Sequence, residues 1–172
     1  MLKKNEINLL SKTLPFWNNL DQDEKELLIS NAFIEDVDQG QLIHQGNNDC
    51  IGIWVGIKGG LRTYSVSDEG KEVTLYRLNA NDVCVLSAAC VLDCIDFDVL
   101  VEAQTKCQII QISPAIFLQL FSQNIHVELF SYKLATERFS DVMWAMQQIL
   151  FISFDKRLAA FLFDESNRSN SL

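Results

Sequence analysis

A mainly β fold, a jelly-roll barrel with flanking helices followed by one long helix, is what this 172-residue sequence predicts. Three observations carry that expectation. From Phe33 to Ile112, short apolar runs alternate with clusters of Gly, Asn and Asp, the signature of many short strands joined by turns. No helical period interrupts that stretch, which argues against the α/β sheet of an enzyme. After Ser113 the period becomes helical, and from Ile125 to Leu150 apolar residues fall at four-three spacing.

The elements follow in order. Glu6 to Leu10 and Asp21 to Ala32 read as short helices, with Asp21 as N-cap and Glu24 completing a capping box. Leu20, Leu27, Leu28 and Ala32 supply the buried side. Turns are marked by Gln39-Gly40, Gly46-Asn47-Asn48-Asp49, Lys58-Gly59-Gly60, Glu69-Gly70 and Asn79 to Asp82. Between them, Leu61, Thr63 and Ser65 alternate with Arg62, Tyr64 and Val66. Ser67-Asp68-Glu69-Gly70 turns the chain with Gly where positive φ is cheapest, and Val73, Leu75 and Tyr76 open the return strand. Ser113-Pro114 starts a helix whose apolar face is Ile116, Phe117, Leu120 and Phe121. The longest helix, about Ile125 to Leu150, carries a seam of Ala135, Phe139, Val142, Met146 and Ile149, with Glu128, Lys133, Glu137 and Asp141 off it. Such a seam suits either a parallel dimer or packing on the barrel. A last helix is expected from Asp155 to about Phe163, with a polar, frayed tail from Asp164.

Composition narrows the function. An apolar fraction of 48% with 22% charged residues is that of a globular domain with a core. No apolar run reaches the roughly 18 residues that span a membrane, and Met1 to Glu6 lacks the apolar core of a signal peptide, so a cytoplasmic chain is expected. A net charge of −9 with 14 unclustered Lys and Arg is a poor match to phosphate, so this stretch should not hold DNA by itself. Five cysteines without an export signal argue against a disulfide framework. Nucleophile-elbow, phosphate-loop and zinc-protease motifs are all missing, and Ser87 has no neighbouring His. Asp96 and Asp98 share a strand face, which in an acidic chain reads as solvated. His44 reads as an outward strand residue, and with only His126 besides it a cupin-type metal site is not supported. The chain is therefore expected not to be an enzyme.

Lys58-Gly59, Leu61, Tyr64, Gly70-Lys71-Glu72, Leu78 and Asp82 follow one another in a pattern that resembles the sensor β-roll of the Crp/Fnr transcription regulators. The resemblance continues through Thr105, Cys107, Ile112, Phe117 and Leu120 to Phe151, Arg157, Leu158 and Ala159, covering roughly Phe16 to Leu162. It implies a cyclic-nucleotide-binding-like barrel with N-terminal helices over 1–124, a dimerisation helix over 125–150 and the start of a truncated C-terminal DNA-binding domain over 151–172. It also implies a homodimer through the long helix, a small-molecule effector, and DNA contact only through a domain largely missing from this chain.

Within that resemblance the nucleotide-binding residues are replaced. The ribose-binding Gly-Glu pair falls on Val85 and Leu86, and the phosphate-binding Arg-Ser pair on Phe97 and Asp98. A phosphate needs a cationic fork or a nest of amides, and neighbouring Asp93, Asp96 and Asp98 would repel it. The purine-contacting positions fall on Val142 and Met143, so cyclic AMP is not the expected ligand. The matching pocket would be lined by Tyr76, Leu86, Ser87, Phe97, Val142 and Met143, with Asp98 and Arg138 nearby. Such a lining suits an apolar ligand, and equally a filled core. Arg138 reads as a surface or interface ion pair. Cys84, Cys90 and Cys94, spaced C-x5-C-x3-C, with Cys107 and Cys50, are candidates for a thiol or iron–sulfur sensor, although the family's cluster uses cysteines near the N-terminus and residues 1 to 49 hold none. Three readings stand: an effector-sensing and dimerisation domain of a Crp/Fnr-like regulator, a ligand-free dimerisation module, or a redox sensor.

Overall fold

The computed structural model describes residues 2–44, 52–84 and 99–169. Helix α1 (Lys4–Thr13), a 3-10 turn (Pro15–Asn19) and helix α2 (Gln22–Ser30) lead the chain. α1 is longer than its apolar pattern suggests, because the Glu6 carboxylate accepts the Lys3 amide and closes the first turn. The expected capping box of α2 forms: Asp21 accepts the Glu24 amide at 2.8 Å and Glu24 accepts the Asp21 amide at 2.9 Å. α2 stops before Ala32, which already pairs with Ile112 as the first residue of a strand.

Eight strands follow among the described residues: β1 (Ala32–Val37), β2 (Leu42–His44), β3 (Ile53–Lys58), β4 (Leu61–Val66), β5 (Glu72–Leu78), β6 (Val83–Cys84), β7 (Leu100–Ala103) and β8 (Cys107–Ile112). Among the described residues they form two antiparallel four-stranded sheets, in the orders β1-β8-β3-β6 and β2-β7-β4-β5. Neighbours distant in sequence and two facing sheets are the jelly-roll arrangement.

The two central strands of the first sheet, β3 and β8, are covered on both faces. Ile53 and Val55 of β3, with Ile110 and Ile112 of β8, pack outward against a helical layer that includes Leu10, Leu28, Phe117 and Leu120. Trp54, Cys107 and Ile109 point inward, where they meet Leu61, Tyr76, Leu78 and Val101. Covered on both sides, these strands carry buried apolar residues at consecutive positions, Ile53 to Val55 in β3 and Ile109-Ile110 in β8, where a half-exposed strand would alternate. Each such side chain contributes about 1.5–3 kcal/mol of burial. His44 departs from expectation. It is buried, because a register shift between Leu42 and His44 in the β2–β7 pair breaks the simple alternation.

The β4–β5 hairpin turns as expected. Gly70 has φ +77° and donates its amide to Ser67 O at 2.8 Å. β5 accommodates one extra residue, Leu75, since Thr63 faces Tyr76 while Tyr64 faces Thr74. Arg62 braces the outer side, its Nη1 2.8 Å from Glu72 Oε2 and its guanidinium 4.3 Å from the centre of the Tyr64 ring.

Three helices complete the chain: α3 (Pro114–Gln123), α4 (Ile125–Phe151) and α5 (Phe154–Ser169). Ser113 takes the cap position of α3 and Pro114 opens it, but the serine side chain makes no capping bond. α4 is capped by Asn124, which accepts the His126 amide at 3.0 Å and donates to Glu24 and to Asn19 O. That one side chain ties the start of the long helix to α2 and the 3-10 turn. α5 runs on through Ser169 rather than fraying at Asp164, since no Gly or Pro interrupts it.

Gly59 tests the barrel's closest approach. Its φ is +84°, and a Cβ there would lie 2.7 Å from Cys107 Sγ and Lys106 O. Gly59→Ala is expected to cost more than Gly70→Ala, where a Cβ meets nothing within 4 Å and only the backbone strain of about 1–2 kcal/mol applies. Urea melts of both variants measure the difference.

Candidate functional site

α4 crosses the barrel against β5, and the contact is built from few residues. Val127, Ser131, Leu134 and Ala145 are buried along one stripe of the helix. Ser131 satisfies its own hydroxyl by donating to Val127 O at 2.8 Å. On the same stripe, Val142 packs against the barrel interior beside Leu75 and Tyr76. Arg138 lies between them, its guanidinium 5.1 Å from the centre of the Tyr76 ring and its side chain only 16% exposed. It is therefore not a surface charge, although it does form the expected kind of ion pair, with Asp141 at 3.0 Å.

The barrel wall beneath this crossing is polar at its centre. Thr63 and Tyr76 face each other across β4 and β5, and both are buried. Cys84 faces Trp54 across β6 and β3. The Tyr76 hydroxyl lies beside Thr63 and Cys84, close enough for both to affect its titration, but no hydrogen bond of good geometry forms. Burial pushes the Tyr76 phenol well above its ordinary value; Cys84 acts in the same direction, and Thr63 and Arg138 pull it partly back. Tyr64, on the outer face, is raised as well, by burial first and then by Glu102 and Glu72.

The structure thus brings together Tyr76, Arg138 and Val142 of the expected pocket. Met143 points away and is exposed. Leu86, Ser87, Phe97 and Asp98, with Val85, lie outside the described residues, as do Cys50, Cys90 and Cys94. Cys84 and Cys107 are buried thiols, and Cys107 is committed to Thr105 O at 3.0 Å and Gly60 O at 3.3 Å. Among the described residues no group of three His, Cys, Asp or Glu is placed to hold a metal. Thr63, Trp54 and Asp141 belong to the site but carry no motif. Strand parity alone places Thr63 inward, and only the extra residue Leu75 aligns it with Tyr76.

Solved structures share this architecture over most of its length. One assigned to the Crp/Fnr transcriptional regulators, from Eubacterium rectale, is 40% identical, covers 92% of this chain and 74% of its own, and superposes with a TM-score of 0.89. The chain belongs to the Crp/Fnr family. The sensor domain of the transcriptional regulator DNR from Pseudomonas aeruginosa shares the fold at 17% identity and a TM-score of 0.64, over 88% of this chain and 97% of that one. So does CLP, a c-di-GMP-responsive global regulator from Xanthomonas campestris, at 16% identity and 0.66, over 84% and 72%. The barrel is the cyclic-nucleotide-binding-like fold of Crp/Fnr regulators, flanked by helices and followed by the 27-residue α4. No family profile matches the chain, and no curated protein matches it. No helix among the described residues is long and apolar enough to cross a membrane.

Tyr76 yields a pH test. A phenol whose folded pKa is raised contributes stability that is complete below the unfolded value of 10.0 and is lost as pH rises past it. Wild-type stability is expected to fall above pH 10, and Tyr76→Phe to flatten that loss while leaving stability at pH 7 equal or higher, since it removes a buried hydroxyl without a good partner. Denaturant melts at a series of pH values measure both.

Proposed function

We propose that this chain is the effector-sensing and dimerisation part of a cytoplasmic Crp/Fnr transcription regulator. Residues 1–124 form the sensing barrel, 125–150 the dimerisation helix and 151–172 the start of a C-terminal DNA-binding domain. A ligand held between β5 and α4 re-seats α4 and so reorients the DNA-binding heads of a homodimer. The ligand acts only through a difference in affinity for the two seatings. No catalytic role is proposed, in keeping with the regulators that share the fold.

The observation that carries this reading is that α4 has two faces. One stripe packs on the barrel through Leu134, Arg138, Val142 and Ala145. The other is an exposed row, Ile125, Leu129, Tyr132, Thr136, Phe139, Met143, Met146 and Leu150, with alternating steps of four and three. Phe139 is 63% exposed and Leu150 65%. That is heptad spacing sustained along the helix. Val142 of the seam read from sequence turns toward the barrel, Ala135 is half-buried, and Ile149 lies beside Val73 of the β4–β5 hairpin. The dimer seam is therefore assigned to the exposed row, which shares only Phe139 and Met146 with the earlier one.

A ligand-free dimerisation module is the second reading. It is favoured by the small size of the pocket between Trp54, Leu61, Leu78, Cys84 and Ile109 and the turn residues Lys58, Gly59, Asn79 and Asp82, which measures about 10 Å³, room for about one water.

Two experiments separate these. The double variant Phe139→Glu/Met146→Glu is expected to weaken the dimer by about two orders of magnitude while leaving the barrel folded, whereas Val142→Glu lowers the melting temperature. Sedimentation velocity and thermal melts give the two readouts. In a thermal-shift screen, a ligand at a hundred times its dissociation constant adds about 2.7 kcal/mol. Cyclic AMP is expected to give no shift. An absorption spectrum of protein purified without oxygen, taken first, tests for an iron–sulfur cluster.

A further inference from the structure

Four buried polar atoms at the centre of the barrel and its contact with α4 lack a hydrogen-bond partner: Trp54 Nε1, Thr63 Oγ1, Tyr76 OH and Arg138 Nε. Thr63 is fully buried and Tyr76 only 7% exposed, so water does not reach them freely from outside. Leaving buried polar groups unmet is costly, and a bound ligand is one occupant that removes the cost. The missing chemistry has a definite sign. Trp54 and Arg138 can only donate, and the Tyr76 hydroxyl lies beside Thr63 and Cys84 without a hydrogen bond of good geometry to either. The group therefore needs acceptor oxygens.

Charge narrows this further. Arg138 is held by one carboxylate, Asp141 Oδ2, which meets Nη1 and is itself 44% exposed. Water screens that pair, while the Nε edge is buried over the Tyr76 ring. An anion reaching that edge from the barrel side would be less screened than Asp141 and would gain a charge-assisted bond. Around it, Leu75, Val142 and the Tyr76 ring offer apolar contact.

We propose that the effector of this site is a small organic acid with an apolar body, its carboxylate held by Arg138 Nε with the Tyr76 and Thr63 hydroxyls and in competition with Asp141. This rests on the effector reading above and narrows it to a chemical class.

Calorimetric titration of the full chain with benzoate and octanoate, and with the neutral benzamide and octanamide, tests it. The acids are expected to bind at least tenfold more tightly than their amides. Arg138→Gln should lose about tenfold or more of the acid affinity without changing that for the amides; Arg138→Lys should keep part of it; Asp141→Asn should bind the acids more tightly, having lost the competitor. Thermal melts show which variants fold, and if Arg138→Gln does not, the Arg138→Lys and Asp141→Asn pair decides. Amides that bind as well as acids, or acid binding indifferent to Arg138, overturn the acid class while the pocket stands. No heat from any of the four probes, with hydrogen exchange in β5 and α4 unchanged by them, overturns the pocket itself.

Discussion

The double burial of β3 and β8 is the constraint on which the rest of the molecule depends. β3 and β8 present Ile53, Val55, Ile110 and Ile112 to the helices and Trp54, Cys107 and Ile109 to the barrel. The helical layer and the barrel interior are thus two sides of the same two strands, and neither can shift without disturbing the other. The start of α4 is bound into this arrangement twice. Val127 and Leu134 join the helical core, and Asn124 hydrogen-bonds to α2 and the 3-10 turn. A packed core of this kind does not deform gradually, so motion has to be sought where packing ends.

Packing ends part-way along α4. After Ala145 no residue of the helix is buried, and the remaining turns carry large exposed side chains as far as Phe151. The crossing over β5 lies just before that point. Arg138, Val142 and Tyr76 therefore occupy the boundary between a fixed helix root and a free helix end. A small change at this crossing has leverage over everything beyond it, because the helix downstream is held by little of its own protomer. The exposed heptad row bears on the same argument. A second copy bound along Phe139, Met143, Met146 and Leu150 would share the free end, so a change of seating in one protomer would be felt by the other.

Much of this was legible in the sequence, and the parts that were not have physical reasons. Turn chemistry reads locally, so the hairpin at Gly70 and the capping box at Asp21 emerge as expected. The long helix was equally plain, but its outward face was not. Ala135, Phe139, Val142, Met146 and Ile149 have the right spacing, yet a helix with apolar residues on two faces offers two overlapping seams, and only the position of the barrel decides between them. His44 and Thr63 were hidden for a related reason. Each lies beside a register irregularity, and irregularities leave no mark in the pattern of apolar residues. Arg138 read as a surface or interface ion pair near the pocket, because sequence does not show that an aromatic ring lies beneath it.

The chain's overall charge opposes an acidic effector at long range but not at contact distance. A net charge of −9 repels anions at long range. That repulsion acts through solvent and decays over about 8 Å at physiological ionic strength. The field at Arg138 Nε is set by what lies within contact distance: one guanidinium, one half-exposed carboxylate and an aromatic face that favours the cation. Neutralising a buried charge edge and satisfying two buried hydroxyls acts at full strength over that short range. The acidic surface then works as a filter. It keeps weakly fitting anions out of the neighbourhood, and it leaves recognition to a ligand whose carboxylate reaches Arg138 while its apolar part lies against Val142 and Leu75.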